Sequence, residues 1–189
     1  MNPVPSAQET GARGVARVRT LDHVAIATHD MAEPASLFVD VLGASLIAGG
    51  DNDRSGLRLM HLRCGGFKVE LMQPLRADSP ISPRLAQRGP GFHHLTFMVD
   101  DLVETIDALS AAGLSTVGTS LDSPRWRETF LPPRATFGTL LQLVDTARRW
   151  DVPTTDYGLD DVLAGRVEWR DHVACLRSET SGPKRSRER

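Results

Sequence analysis

Four polar side chains stand alone inside apolar runs, and their types are those of metal ligands. His23 lies in Leu21-Asp22-His23-Val24-Ala25-Ile26-Ala27, Glu70 in Val69-Glu70-Leu71-Met72, His94 in Phe92-His93-His94-Leu95-Thr96-Phe97, and Gln142 in Leu140-Leu141-Gln142-Leu143-Val144. A carboxylate or amide in such a run costs free energy unless it finds a partner. Two imidazoles, one carboxylate and one amide oxygen suit a single borderline divalent cation, with coordination positions left for a substrate. Co, Ni, Zn, Mn and Fe all fit that donor set.

The elements that must bring them together follow from an internal repeat. His94 falls 71 residues after His23, and Gln142 falls 72 after Glu70. After each His strand come apolar residues at helical spacing, Leu37/Phe38/Val41/Leu42 in the first copy and Leu102/Ile106/Leu109 in the second. Each run ends at a glycine, Gly43 or Gly113, suited to the left-handed position that closes a helix. Extended segments follow, at 57–62 and 67–72 around the turn Cys64-Gly65-Gly66, and near 116–119, 129–131 and 139–144. Each copy therefore reads as a βαβββ unit, the class as α+β, and a pseudo-dyad between the copies would converge the four residues. Residues 79–91 join the copies, with a short helical turn near 83–87.

The rest of the chain narrows the function class. Its 189 residues carry 22 Lys+Arg against 24 Asp+Glu, a formal charge of -2. That balance gives no basic face for displacing counterions from nucleic acid, and no apolar run is long enough to cross a bilayer. With no secretory leader pattern and two cysteines too few for a disulfide framework, free thiols and a cytoplasmic setting are expected. Residues 1–19 and the basic tail 181–189 read as disordered, and 147–180 as an extension with a helix over 159–169. The apolar Leu159, Val162, Leu163, Val167 and Trp169 of that helix would pack on the sheet or on a second subunit, so a homodimer is expected.

Other side chains are candidates for substrate contact. Arg58, Arg125 and Arg134 have the fork geometry for a carboxylate or phosphate, and Trp126 could wall a pocket. His93, next to a proposed ligand on a strand, should point to the opposite face. His29 and His172 have no mate under the repeat, and neither has His61.

The stretches Leu21-Asp22-His23-Val24-Ala25-Ile26-Ala27, Val41-Leu42-Gly43, Val69-Glu70-Leu71-Met72-Gln73-Pro74-Leu75, Ser79-Pro80-Ile81-Ser82 and Gly91-Phe92-His93-His94-Leu95-Thr96-Phe97 resemble the vicinal oxygen chelate superfamily, and within it the methylmalonyl-CoA epimerase-like proteins. The resemblance covers about residues 20–146, with modules of about 20–75 and 91–146. It implies paired βαβββ modules forming an incomplete barrel-like mixed sheet around one metal ion, with His23, Glu70, His94 and Gln142 as ligands. One departure matters. The family's final-strand ligand is a Glu that also moves the substrate proton; Gln142 stands there instead, and an amide is no general base. The epimerases use a second Glu on a middle strand, and 56–61 contains none. Glu70 or His61 is then left as the catalytic base.

Three functions compete. A metal-dependent isomerase or lyase would act on a small carbonyl compound or acyl thioester through a metal-stabilised enolate. An Fe(II) dioxygenase would use two His and one carboxylate. A ligand-binding or resistance protein would use the same cleft without chemistry. Dependence on oxygen separates the first two.

Overall fold

The computed structural model describes residues 16–147, 152–154 and 156–178. The first half runs β1 (Val18–Ala27), α1 (Ala32–Ser36) with a wide turn at Leu37–Val41, β2 (Ser45–Asn52), β3 (Leu57–Cys64) and β4 (Phe67–Pro74). After α2 (Ser82–Arg88), the second half repeats the pattern with β5 (Gly91–Val99), α3 (Leu102–Ala111), β6 (Val117–Ser120), β7 (Arg127–Leu131) and β8 (Leu140–Asp145). The chain adds α4 (Leu159–Leu163), β9 (Val167–Arg170) and β10 (Val173–Leu176).

All ten strands form one curved, unclosed sheet in the order β10-β9-β2-β3-β4-β1-β5-β8-β7-β6. The pseudo-dyad is visible in the pairing. β1 runs parallel to β4, β5 parallel to β8, and β1 and β5 meet antiparallel at the seam. The βαβββ reading therefore holds in both halves, and the mixed α+β class with it.

Two register shifts on the seam matter for function. Leu21 and His23 face Phe97 and Thr96, leaving Asp22 as the extra residue; Ala25 and Ile26 face His94 and Phe92, leaving His93 as the other. Each is a β-bulge placed just before a histidine, and a bulge re-aims the side chain it carries.

The helices seal the face away from these histidines. Met31, Ala35, Met60, Leu62, Val69, Leu71, Val162 and Val167 form one buried cluster under α1 and α4. Val99, Leu102, Leu131 and Leu143 form the matching one under α3. Asp101 caps α3 by accepting from the Glu104 backbone N–H at 2.9 Å. On the opposite face Ala25, Ala27, Leu57 and Met72 pack against Leu85 of α2 and Ile81 just before it.

The structure corrects the apolar face expected for the first helix. Leu37, Val41 and Leu42 are exposed, while Phe38 and Val39 turn inward. The cause is the wide turn: Leu42 N–H donates to the Leu37 carbonyl five residues back, which rotates the helix face relative to 3.6-residue spacing. Gly43 and Gly113 close their helices at φ +70° and +78°, as expected.

The C-terminal segment also differs. Its helix ends at Leu163, and Val167 and Trp169 lie on β9, which extends the sheet by pairing with β2 at Asp51 and Glu168. Gly50 permits this docking, because a Cβ there would sit 3.0 Å from the Val167 carbonyl. Val162 and Val167 are fully buried within the chain's own core, so they are not available to a second subunit. Residues 1–15 and 179–189 lie outside the described residues, so the expected basic tail does too; Val18 and Arg19, expected in a disordered segment, are in β1.

Arg58 ties this extension down. Its guanidinium holds Asp51 at 2.6 and 3.1 Å and donates to the Leu163 carbonyl at 2.6 Å. Both partners are nearly buried, and Asp51 has a second, longer contact at 3.3 Å from Arg177. Arg58→Met is expected to destabilise the fold by about 2 kcal/mol, the scale of lost hydrogen bonds to a charged group, read as a lower urea midpoint with an unchanged slope.

Candidate metal centre

His23, Glu70 and His94 are brought together at the seam, each buried, with one ligand atom apiece lying within 4.8 Å of the others. His23 Nε2 is 3.5 Å and His94 Nε2 3.8 Å from the same oxygen, Glu70 Oε2. His61 Nε2 lies 3.4 Å from Glu70 Oε1. Gln142 Oε1 is 3.1 Å from His94 Nε2. The four residues picked out by the repeat therefore converge, and His61 joins them, because it sits directly opposite Glu70 across β3 and β4. Two imidazole nitrogens, a carboxylate and an inward amide oxygen form a donor set that fits a divalent transition ion or zinc.

The bulges give each histidine a partner on its outer nitrogen. Asp22 Oδ2 is 2.8 Å from His23 Nδ1, and Lys68 Nζ holds the other Asp22 oxygen at 2.6 Å. His93 Nδ1 is 2.8 Å from His94 Nδ1. His93 thus faces its neighbour rather than the opposite side of the sheet, which corrects the expectation from strict alternation. An acceptor on the outer nitrogen fixes the tautomer so that Nε2 faces the centre.

Electrostatics divide the histidines. Burial opposes a charge on His23, but Glu70 and Asp22 outweigh it and hold its pKa up at about 9. Burial dominates at the others, keeping His61 down at about 4 and His94 at about 3. Burial also disfavours the Glu70 carboxylate, yet the surrounding imidazoles hold its pKa far below the usual range. The centre is thus an imidazolium–carboxylate pair flanked by two neutral imidazoles.

Two residues of the centre were not foreseen. Thr96, fully buried, places Oγ1 2.9 Å from His23 Nε2 and donates to Gln142 Oε1 at 2.6 Å. Glu128 on β7 accepts from Gln142 Nε2 at 2.6 Å and from Trp126 Nε1 at 2.8 Å. The alternation Trp126-Arg127-Glu128-Thr129-Phe130 carried that signal, since it puts Glu128 on the face of Phe130, whose ring lies edge-on to His94.

The other sequence candidates lie apart from this cluster or at its rim. Arg58 is engaged with Asp51 and Leu163, on the strand face opposite His61. Arg125 pairs with Asp171 at 3.0 Å, half exposed. Arg134 lines a shallow cavity of about 280 Å³ with Gly113, Leu114, Ser115, Pro132 and Ala135, none of them in the cluster. Trp126 reaches the centre through Glu128. Trp169 of β9 stands edge-on to His61, 6.0 Å between ring centres, so the extension forms part of the wall.

Known proteins share this fold. The family model for the glyoxalase/bleomycin resistance protein/dioxygenase superfamily matches residues 22–130. The chain belongs to that superfamily. Among superfamily relatives, Bacillus subtilis YqjC, itself uncharacterised, is 30% identical over 130 residues, 66% of this chain and 91% of that protein. The ethylmalonyl-CoA/methylmalonyl-CoA epimerase of Cereibacter sphaeroides is 34% identical over 100 residues, 52% of this chain and 74% of that one. The crystal structure of methylmalonyl-CoA epimerase from Mycobacterium tuberculosis superposes with a TM-score of 0.65 at 31% identity, covering 76% of this chain and 97% of that one. The chain is thus similar to enzymes named as epimerases of ethylmalonyl-CoA and methylmalonyl-CoA.

Proposed function

We propose that the protein is a metal-dependent isomerase acting at the α-carbon of a CoA thioester, with His23, Glu70, His94 and Gln142 holding the cation. The observation that carries this reading is the convergence of those donors on one buried point of the seam, in a chain similar to enzymes named for ethylmalonyl-CoA and methylmalonyl-CoA. A bound divalent cation would supply positive charge to the thioester oxygen as the α-proton leaves.

The chain's own residues do the rest. His61, kept neutral by burial, presents a free base beside Glu70, and its ring is packed between His23 and Trp169. We assign His61 as the proton-moving group on that side, its Nε2 lying 3.4 Å from Glu70 Oε1. Trp169 stands edge-on to His61 on the β3 side of the centre, and Trp126 donates to Glu128 on the β7 side. Arg134 and Arg125 remain our candidates for the polar end of the substrate.

The test is exchange of the α-hydrogen of methylmalonyl-CoA in D2O, with protein reconstituted in turn with Co, Ni, Zn, Mn and Fe. Metal-dependent deuterium incorporation, lost in His61→Ala with metal retained, is the expected result. No exchange with any ion would sink the isomerase.

A second reading has one observation in its favour, the two-His-one-carboxylate set of His23, His94 and Glu70, which suits Fe(II) oxygen chemistry. Oxygen uptake by the iron-loaded protein with a catechol substrate would favour it over the isomerase. Among the described residues no helix is long and apolar enough to cross a membrane. A cytoplasmic homodimer is our working assembly, supported by two unpaired cysteines and by the exposed Leu37, Val41 and Leu42; sedimentation equilibrium tests the dimer.

A further inference from the structure

Gln142 is the one proposed ligand whose usefulness depends on which way round it sits. A carboxylate offers oxygen at both ends, but an amide offers oxygen at one end and two N–H donors at the other. Only the oxygen can face a cation. Something must therefore decide the orientation of this buried side chain.

The decision is made on β7. Glu128 is a pure acceptor, and its Oε2 lies 2.6 Å from Gln142 Nε2, so only the amide nitrogen can point that way. The oxygen is then turned inward, where Thr96 donates to it at 2.6 Å and His94 Nε2 lies at 3.1 Å. Trp126 Nε1 donates to the same Glu128 oxygen at 2.8 Å and fixes the carboxylate in turn. No equivalent chain exists in the first half among the described residues. Leu59 stands where the dyad would place a mate for Glu128, two residues before His61 as Glu128 is two before Phe130.

We infer that Glu128 is a positioning residue that makes Gln142 an oxygen donor to the metal centre, and that Trp126 holds Glu128 in place. This rests on the metal-centre reading above. It also gives a physical reason for an amide at position 142: a carboxylate there would lie against Glu128, two like charges within hydrogen-bond distance.

Without an acceptor at 128, the buried N–H groups of Gln142 lose their partner, and the amide gains by turning them toward the centre. A second carboxylate at 142 would need no such guidance. The two substitutions therefore interact in a direction that a merely structural role for Glu128 does not produce.

The experiment is Co²⁺ titration of four full-length proteins, wild type, Glu128→Leu, Gln142→Glu and the double variant, followed by the visible absorption of the bound ion. Glu128→Leu is expected to weaken Co²⁺ binding about 10- to 100-fold, the range for lost outer partners of metal ligands, and to change the band positions. Glu128→Gln, which still offers an acceptor oxygen, should stay within about threefold of wild type. In the Gln142→Glu background, Glu128→Leu should leave affinity unchanged or tighten it, since it removes a repulsion. An equal loss in both backgrounds, or no loss in either, overturns the inference while leaving the metal centre standing. Failure of the wild type to bind Co²⁺ removes the metal centre, and the inference with it.

Discussion

His94→Ala is expected to leave a folded protein that no longer retains a metal ion. His94 is the residue where the two halves of the centre meet: its Nε2 faces both Glu70 Oε2 and Gln142 Oε1. Without it the remaining donors are His23 and Glu70, which neutralise each other as a charged pair, and an amide oxygen. Loss of a direct ligand should exceed the 10- to 100-fold typical of outer partners, so affinity should fall by at least about 100-fold. Activity supported by the cation should fall by about 10²- to 10³-fold, as when one stabiliser of a developing oxyanion is removed. The cost to folding should be ordinary, about 1–3 kcal/mol, because the imidazole packs on Phe130 and its outer partner His93 is half exposed. Elemental analysis beside thermal unfolding checks both parts. A His94→Ala protein with one tightly held ion per chain would rule out His94 as a ligand.

Glu70→Gln is expected to change the pH dependence of stability, measured by urea unfolding with a chelator present. His23 has a pKa raised to about 9 against 6.5 in the unfolded chain, so its contribution is complete below about 6.5 and is lost as pH rises through about 9. His61 and His94 work in the other direction. Burial lowers them to about 4 and about 3, so the unfolded chain takes up protons below about 6.5 that the folded one refuses, and stability falls with acidification. Glu70 adds to that acid limb, its own contribution being lost as pH falls below 4.5 through its lowered folded value. Stability from this cluster should therefore peak near pH 6.5. Glu70 is the main attraction that overcomes burial at His23. With glutamine there, only Asp22 still opposes burial at His23, so its pKa should fall and the loss of stability between about pH 6.5 and 9 should shrink. Near the optimum the variant should also be less stable, by about 1–3 kcal/mol, because His23 loses Glu70 but keeps Asp22. Parallel pH profiles for variant and wild type would show that the pair does not control stability.

The sequence made the four converging residues legible because a duplicated unit doubles every clue. One His in an apolar strand is ambiguous, whereas His23 and His94, with Glu70 and Gln142, occupy equivalent places on paired strands. The same reasoning hid Glu128, whose mate under the repeat is Leu59, so symmetry offered nothing to match. The outer partners Asp22 and His93 were hidden for a different reason. A bulge breaks the period of two on which face assignments rest, and both residues sit at bulges. The extension was misread because Leu159 to Trp169 satisfies a helical spacing, while Val167-Glu168-Trp169-Arg170 alternates like a strand. Docking against the glycines of β2 decided between them, and that contact is remote in sequence.

The seam between β1 and β5 has a consequence for how the molecule assembles. Each half can form its own β3–β4 or β7–β8 hairpin from neighbouring chain, but β1 must find β4 and β5, both far along the sequence. Pairings with such long loops are slow to form and are the natural late step of folding. Because His23 and His94 come from opposite sides of that late pairing, the donor set does not exist in a half-folded chain. A divalent ion should accordingly leave the early hairpins untouched and act on the final closure, slowing the reopening of the two halves far more than it speeds their formation.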